Sequence, residues 1–227
     1  MSNLLSLIET SNSSPKALIM AGAPGSGKGY LLDKLNTQEI DVLNLDNIYI
    51  KFLKYYGVSL DLKNANKENR SLASKAMVYS TQKLKQEIIP RYIEKKESFV
   101  LDGTASSFKQ TSKLIKELQN NNYQVMMLFV YIHLGRSLKQ NNERYAQSNK
   151  QDRSLMPSIV LKTWVDVTKN FFNYKHLLQD NFIAINNSDE NDDFNIKRLV
   201  DFYVIPFKPK DSTPKTEKEQ NKKDKEF

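Results

Sequence analysis

Four of the seven glycines in this chain fall within eight residues, and that cluster limits the possible folds more than any other feature. The segment reads Gly22-Ala23-Pro24-Gly25-Ser26-Gly27-Lys28-Gly29. It follows a predicted strand over 16–21 and precedes a helical pattern over 30–35. A glycine-rich turn that joins a buried strand to a helix and carries a Gly-Lys pair is typical of a phosphate-binding loop. We call residues 22–29 the phosphate loop.

The chemistry of phosphate binding explains this spacing. Glycines let consecutive backbone N–H groups turn inward, and the following helix points its positive dipole end at the anion. Lys28 would reach the β- and γ-phosphates of a nucleotide. A plain glycine-rich turn is the alternative, which the strand context and the Gly-Lys pair disfavour. We predict ATP or GTP binding by Gly22, Ala23, Pro24, Gly25, Ser26, Gly27, Lys28, Gly29 and Tyr30.

Gly29 departs from the usual pattern, in which a Ser or Thr hydroxyl at this position ligates Mg²⁺. The metal would then rest on a carboxylate and waters, as suits an ion that takes few protein ligands. The candidate metal ligands are Asp46 and Asp102. The departure also keeps open a nucleotide-binding protein without turnover.

Short apolar runs alternate with longer helical patterns along the chain. Five runs predict buried parallel strands joined by right-handed helical crossovers, in a three-layer α/β/α sandwich. They are Ala17 to Met20, Val42 to Leu45, Phe99 to Leu101, Val125 to Ile132 and Phe182 to Ile185. Helices are predicted over 47–56, 64–96 with a break at Pro90, 108–120 and 157–178. The core face of the last would hold Ile159, Trp164, Val165, Phe171, Phe172 and Leu178.

The ends of the chain differ in composition from its middle. We expect an N-terminal arm over 1–14, a folded domain over 15–205 and a disordered tail over 206–227, where charged residues and three prolines replace apolar ones. No apolar run approaches the roughly 18 residues of a membrane span, and the N-terminus lacks the plan of a signal peptide. We therefore expect a cytoplasmic protein without a membrane partner.

The amino-acid composition further limits the reactions and partners that the chain can have. The absence of cysteine excludes disulfides and thiolate chemistry. A net charge of +8 favours anionic partners such as nucleotides. The basic residues form no concentrated stripe, so a nucleic-acid partner is possible but not favoured.

Two aspartates follow predicted strands, where the carboxyl ends of a parallel sheet border a ligand crevice. Asp46 follows the second strand and is a candidate general base for an acceptor hydroxyl. Its alternative role is to cap the helix that begins near Asn47. Asp102 ends the third strand, before Gly103 and Thr104, and could hold metal or substrate or simply form a turn.

A polar stretch from Asn141 to Ser154 follows the fourth strand, where small kinases carry a mobile lid. We call this stretch the lid. Arg144 and Arg153 lie in it, and the arginine fork suits a γ-phosphate in transfer. The alternative is that both are solvated surface residues.

Together, the phosphate loop, the two aspartates, Thr104 and the lid arginines resemble the zeta toxin family of P-loop kinases, including its phage-encoded relatives, over about residues 16 to 186. The resemblance implies the strand order 2-3-1-4-5 and Mg-ATP as cosubstrate. It implies roles for Lys28 at ATP, for Asp46 as base and for Arg144 and Arg153 at the γ-phosphate. It also implies that Asp102 and Thr104 contact the acceptor, which in the best-known family members is a UDP-linked amino sugar. It assigns no antitoxin to this chain.

Two departures widen the range of acceptors. Asp102 replaces the family's usual Glu, and Ser106 stands where an arginine is common. The lid and its Met156-Pro157 helix entry are also similar to phage polynucleotide 5′-kinases, although Tyr49 replaces an arginine of theirs. We expect a kinase acting on a hydroxyl of a small-molecule or nucleotide-sugar-like acceptor. The alternatives are a polynucleotide 5′-hydroxyl kinase and a non-catalytic nucleotide-binding regulator.

Overall fold

The computed structural model describes residues 14–34, 40–148 and 152–187. All but the last residue of the expected arm, the expected end of the domain near 205 and the tail over 206–227 lie outside these residues. The strands are β1 (Lys16–Ala21), β2 (Asp41–Asn44), β3 (Phe99–Asp102), β4 (Gln124–Tyr131) and β5 (Phe182–Asn186). The helices are α1 (Lys28–Lys34), α2 (Leu45–Tyr55), α3 (Lys67–Lys83), α4 (Ile89–Lys95), α5 (Phe108–Asn120), α6 (Leu134–Gln147), α7 (Pro157–Lys169) and α8 (Phe171–Leu178).

The five strands form one parallel sheet in the order β2-β3-β1-β4-β5. This confirms the predicted sheet and the strand order that the family resemblance implied. Asp102 at the end of β3 is level with Met20 of β1 and with Asn44 of β2. The carboxyl ends of these three strands therefore lie side by side, and the residues that follow them share one edge of the sheet.

Apolar side chains cover both faces of the sheet. On one face Ile19, Phe99 and Phe129 are buried with residues of α5, α7 and α8. On the other face Leu18 and Leu128 are buried with Leu31 and Leu32 of α1. Removing this apolar area from water is the main stabilising contribution to such a fold.

The helices α2 and α3 form a pair with a small apolar cluster of their own. Its buried members are Tyr49, Leu53, Val58, Ala73 and Ala76. Helix α2 follows β2 directly. The first turn of α2 therefore lies at the edge of the sheet where the phosphate loop begins, and α2 holds the residues of that turn there.

The boundary between β2 and α2 differs from the prediction. The strand ends at Asn44 and the helix begins at Leu45, so Asp46 lies in the first helical turn. The helix cap is Asn44, whose side chain accepts a hydrogen bond of 3.1 Å from the N–H of Asn47. β2 is an edge strand, and Val42 is exposed on it.

Two predicted helices are interrupted. The pattern over 64–96 forms α3, a π-helical turn (Leu84–Ile88) and α4, with Pro90 in the first turn of α4. The pattern over 157–178 divides at Asn170 into α7 and α8. Among the described helices, none combines the length and the hydropathy needed to cross a lipid bilayer.

Candidate active site

The phosphate loop connects β1 to α1, as the sequence predicts. Gly22, Gly25 and Gly27 have φ angles of 151°, 71° and 88°, which side chains with a Cβ rarely adopt. The first N–H groups of α1 have no acceptor within the helix and are directed toward the loop. These features provide the inward-facing N–H groups that an anion requires.

Three other elements hold the phosphate loop in place. The Ser137 hydroxyl of α6 donates to the Pro24 carbonyl at 2.6 Å, and the Asn187 amide after β5 donates to the Ser26 carbonyl at 2.8 Å. The Gly22 N–H donates to the Thr104 carbonyl at 3.1 Å. The loop is thus fixed by the strands and helix around it. Ser137 and Asn187 were not predicted as site residues.

Lys28 lies in the first turn of α1 with its ammonium over the phosphate loop. The ammonium donates to the carbonyls of Gly22 and Ala23 at 3.0 and 3.1 Å. Burial lowers the pKa of Lys28, the carboxylates of Asp102 and Asp46 oppose this shift, and the charge of Arg144 adds to it. The charges of both predicted carboxylates therefore act on the lysine.

Asp102 is held by its neighbour in the sheet. The Asn44 side chain donates to Asp102 Oδ2 at 2.6 Å while its own oxygen caps α2. Burial raises the pKa of Asp102, and the ammonium of Lys28 opposes this effect. Asn44 therefore links the carboxylate of β3 to the helix that carries Asp46, although the sequence did not identify it.

Asp46 forms an ion pair with the lid. Arg153 Nη2 lies 2.6 Å from Asp46 Oδ1, and only 15% of the Arg153 side chain is exposed. The guanidinium also lies 5.4 Å from the centre of the Tyr49 ring. Arg144, the second predicted lid arginine, instead forms an ion pair with Asp152.

The segment after β3 brings Thr104 to the phosphate loop by its backbone. The Thr104 hydroxyl donates to the Ser106 hydroxyl at 3.2 Å. The Tyr174 hydroxyl and the Asn170 amide fix the carbonyls of Ala105 and Ser106 at 2.7 and 2.9 Å. The predicted acceptor segment is thus anchored by α8 and by the break that precedes it.

The donor set for a metal is small. In residues 14–34, 40–148 and 152–187, no three histidine, aspartate or glutamate side chains come together in a way that could hold an ion. The charges of Asp102 and Asp46 both act on the Lys28 ammonium. Mg²⁺ usually takes one or two carboxylates together with substrate phosphates and waters. Such a site fits these two residues.

Comparisons with known proteins agree with this fold. The sequence model of the zeta toxin family matches residues 3–198. A structure from Streptococcus pneumoniae, from a characterization of the PezAT chromosomal toxin-antitoxin system, is similar with a TM-score of 0.55 and 16% identity, covering 99% of this chain and 90% of that chain. A candidate kinase from Chloroflexus aurantiacus J-10-fl has a TM-score of 0.53 and 11% identity, covering 85% and 95%. At these low sequence identities, the two structures establish that the fold of this chain is similar and nothing further. A search of curated proteins found no significant match.

Proposed function

The chain belongs to the zeta toxin family and has the fold of P-loop kinases, and from that premise we propose that it transfers the γ-phosphate of ATP or GTP to an acceptor hydroxyl. Family and fold together support a phosphotransferase of the P-loop kinase type. The acceptor we propose is a small molecule or a nucleotide-sugar-like compound. One observation carries the proposal: Arg153 of the lid pairs with Asp46 in the first turn of α2, and the charge of Asp46 acts on the Lys28 ammonium of the phosphate loop.

The residues from Gly22 to Tyr30 would bind the triphosphate. The Lys28 ammonium, which donates to two carbonyls of the loop, would exchange them for charged phosphate oxygens, and such charge-assisted hydrogen bonds are stronger. Mg²⁺, held through Asp102 with help from Asp46, would neutralise charge on the phosphates.

Asp46 would serve as the general base. It takes the proton of the acceptor hydroxyl as the oxygen bonds to the γ-phosphorus and the bond to the nucleoside diphosphate breaks. Arg153 pairs with the same carboxylate, and its side chain can turn from there to the γ-phosphate as charge develops, while its backbone stays in place beside Asp46. Asp102 and Thr104 would orient the acceptor, and the lid would exclude water.

The test uses Asp46→Asn, with Asp166→Asn on α7 as the matched control because Asp166 pairs only with lysines of its own helix. Each protein is incubated with γ-labelled ATP, Mg²⁺ and a cell extract, and the labelled product is identified. We expect a labelled small molecule with the wild type and the control. Asp46→Asn should lower transfer by about 10²- to 10⁴-fold while ATP affinity persists.

A parallel reaction contains a single-stranded oligonucleotide with a 5′-hydroxyl. Labelling of that oligonucleotide in preference to small molecules would replace our proposal with a polynucleotide kinase. ATP binding without transfer to any acceptor would leave a nucleotide-binding regulator.

A further inference from the structure

The last residues of the lid, 152–154, are joined to the connection between α2 and α3 through one buried serine. We propose that Ser154 is a positioning residue that holds Arg153 at Asp46. The inference rests on the proposed function in so far as Arg153 assists phosphoryl transfer.

Ser154 is only 7% exposed, and its N–H and its hydroxyl are both hydrogen-bonded. Its N–H donates to the Leu60 carbonyl at 3.0 Å, and its hydroxyl donates to Asp61 Oδ1 at 2.8 Å. The same hydroxyl accepts from the N–H of Lys63 at 3.0 Å. Three hydrogen bonds therefore join one lid residue to residues 60–63.

Asp61 is itself held in place. The side chain of Asn64 donates to Asp61 Oδ2 at 2.9 Å, and the Asp61 N–H donates to the Ser59 hydroxyl at 3.1 Å. Hydrogen bonds from Asn64 and Ser154 hold the pKa of Asp61 below its usual range. The Ser154 hydroxyl thus donates to an ionised carboxylate, and this kind of hydrogen bond is stronger than a neutral one.

Neighbouring residues of the lid contact different partners. Arg153 reaches Asp46, whereas Ser154 reaches Asp61. The residues on either side are held by α6, because Asp152 pairs with Arg144 and the Leu155 carbonyl accepts from the Asn141 amide at 3.3 Å. Ser154 is thus the lid residue whose N–H and hydroxyl bind the connection between α2 and α3.

That side also carries the proposed base. Asp46 lies in the first turn of α2, and the chain runs through α2 to residues 60–63. Ser154 therefore fixes Arg153 to the same pair of helices that carries Asp46. Because α6 is tied to the phosphate loop through Ser137, the guanidinium is located relative to both the loop and the base.

Space beside this contact gives residues 152–155 room to move when the contact is lost. A cleft of about 360 Å³ lies between the α2–α3 connection and α6. Its lining includes Asp61, Lys63, Asn142, Tyr145 and Ser154. Without the Ser154 hydroxyl, residues 152–155 could shift into it and carry Arg153 away from Asp46. A displacement of about 1 Å in such a group can cost about 10²-fold in rate.

A double-mutant cycle on ATP turnover tests the proposal. Ser154→Ala should lower kcat by about 10- to 10²-fold with little change in the KM for ATP. The same substitution in an Arg153→Ala background should have no further effect, because Ser154 acts through Arg153. Ser154→Thr, which keeps the hydroxyl, should retain most of the rate. The matched control is Ser80→Ala, which removes another buried serine hydroxyl, bonded only to the Ala76 carbonyl of its own helix. An equal fall of kcat in both backgrounds would overturn the inference.

A second measurement does not depend on activity. Phenylglyoxal modifies arginine, and its rate at Arg153 can be followed by mass spectrometry in protein without nucleotide. Ser154→Ala should react several-fold faster at Arg153 than the wild type and Ser80→Ala, while the exposed Arg91 reacts equally in all. Asp61→Ala breaks the same contact from the other side and should act like Ser154→Ala if the latter folds poorly.

The two measurements separate this inference from the proposed function. Faster modification of Arg153 in a protein whose wild type transfers no phosphate would contradict the kinase and support the contact. An unchanged modification rate in both Ser154→Ala and Asp61→Ala would overturn the positioning role, whatever the wild type catalyses.

Discussion

Lys28 is the residue on which nucleotide binding is expected to depend most. Its ammonium contacts only the carbonyls and one hydroxyl of its own loop, so it adds little to the packing of the core. Lys28→Ala should therefore weaken ATP binding by at least tenfold and shift the melting temperature by no more than a few degrees, the equivalent of about 1 kcal/mol. Calorimetric titration with ATP and a thermal melt check both parts.

The control for this variant is Lys75→Ala, an exposed lysine on α3. It changes the net charge equally without touching the phosphate loop. If both variants bound ATP as the wild type does, the loop would not be the nucleotide site.

Gly29 is the unusual residue of the loop, and the structure leaves room for a side chain there. A Cβ at Gly29 would have no neighbour within 4 Å, and the residue is helical. Gly29→Ser should stabilise the fold by about 0.5 kcal/mol, because serine favours a helix more than glycine does. The hydroxyl would add a ligand near the phosphates, so Mg²⁺-dependent ATP affinity should hold or rise.

Gly27→Ser is the matched control, since Gly27 has a φ of 88° and its Cβ would meet the Asn187 amide. It should lower stability and nucleotide affinity together. Weaker Mg²⁺ binding in Gly29→Ser would mean that the metal is held in a way that a side chain at this position disturbs.

At the scale of elements, the order of strands and helices could be predicted because each β-strand is a short apolar run between helical patterns. The break in the helix predicted over 157–178 could not. Asn170 donates to the carbonyls of Ser106 and Asp166, and its bond to Ser106 exists only after the β3 segment is in place. The buried face nevertheless continues from α7 into α8.

The core face predicted for the helix over 157–178 is partly wrong. Ile159, Val165 and Phe172 are exposed, and 66% of the Phe172 side chain lies in solvent. The buried positions include Val160, Val167 and Tyr174. The buried or partly buried positions recur every three or four residues across Asn170, so one helical period fits both helices, and the three exposed residues each lie one position beside it. These positions are Val160, Trp164, Val167, Phe171, Tyr174 and Leu178.

A tyrosine at the entry of β4 links that strand to the end of α4. The Tyr123 hydroxyl donates to the carbonyls of Tyr92 and Glu97 at 2.7 and 2.9 Å. Burial, with a smaller contribution from the charge of Glu97, raises the pKa of Tyr123 to about 12. The folded state thus holds a proton that the unfolded chain loses near pH 10, so stability should fall as the pH rises from about 10 to about 12.

Tyr123→Phe should lose about 1 kcal/mol or more at neutral pH, because the two carbonyls lose their donor. Its free energy of unfolding should then fall less steeply between pH 10 and 12 than that of the wild type. Denaturant titrations at several pH values measure both effects, with the exposed Tyr55→Phe as control. An identical alkaline slope in all three proteins would exclude Tyr123 as its source.

At the scale of the molecule, the candidate site was only partly predictable. The phosphate loop, Asp46, Asp102 and the lid arginines follow from local motifs. The contacts that hold them do not, because Ser137 lies 113 residues from Pro24 and Asn187 lies 161 residues from Ser26. Polar residues of this kind are common along the chain, and only the fold selects which ones meet the loop.

Two truncations test the extent of the folded domain. Residues 206–227 offer little apolar surface, so a chain that ends at Ile205 should melt within about a degree of the full chain. A chain that ends at Asn187 should melt several degrees lower. It loses eight apolar residues, namely Phe194, Ile196, Leu199, Val200, Phe202, Tyr203, Val204 and Ile205.

The test compares the melting temperatures of the two truncated chains with each other and with that of the full chain. An equal melting temperature in both would place the end of the folded domain before residue 188. If the chain that ends at Ile205 melted several degrees below the full chain, the charged tail would contribute to stability.

The π-helical turn before Pro90 is a position where the helix can hold an extra residue. The N–H of Ile89 donates to the carbonyl of Leu84, five residues back instead of four, so the turn holds one residue more than an α-helix would. Because the π-helical turn accommodates the extra residue, inserting or deleting it does not change which side chains are buried in the helices on either side. Ala76 keeps its place in the cluster of α2 and α3, and Tyr92 keeps its place against Phe99. Homologues should accordingly differ in length by one residue at 84–88, and alignments that put the gap elsewhere in this helix would misplace its buried face.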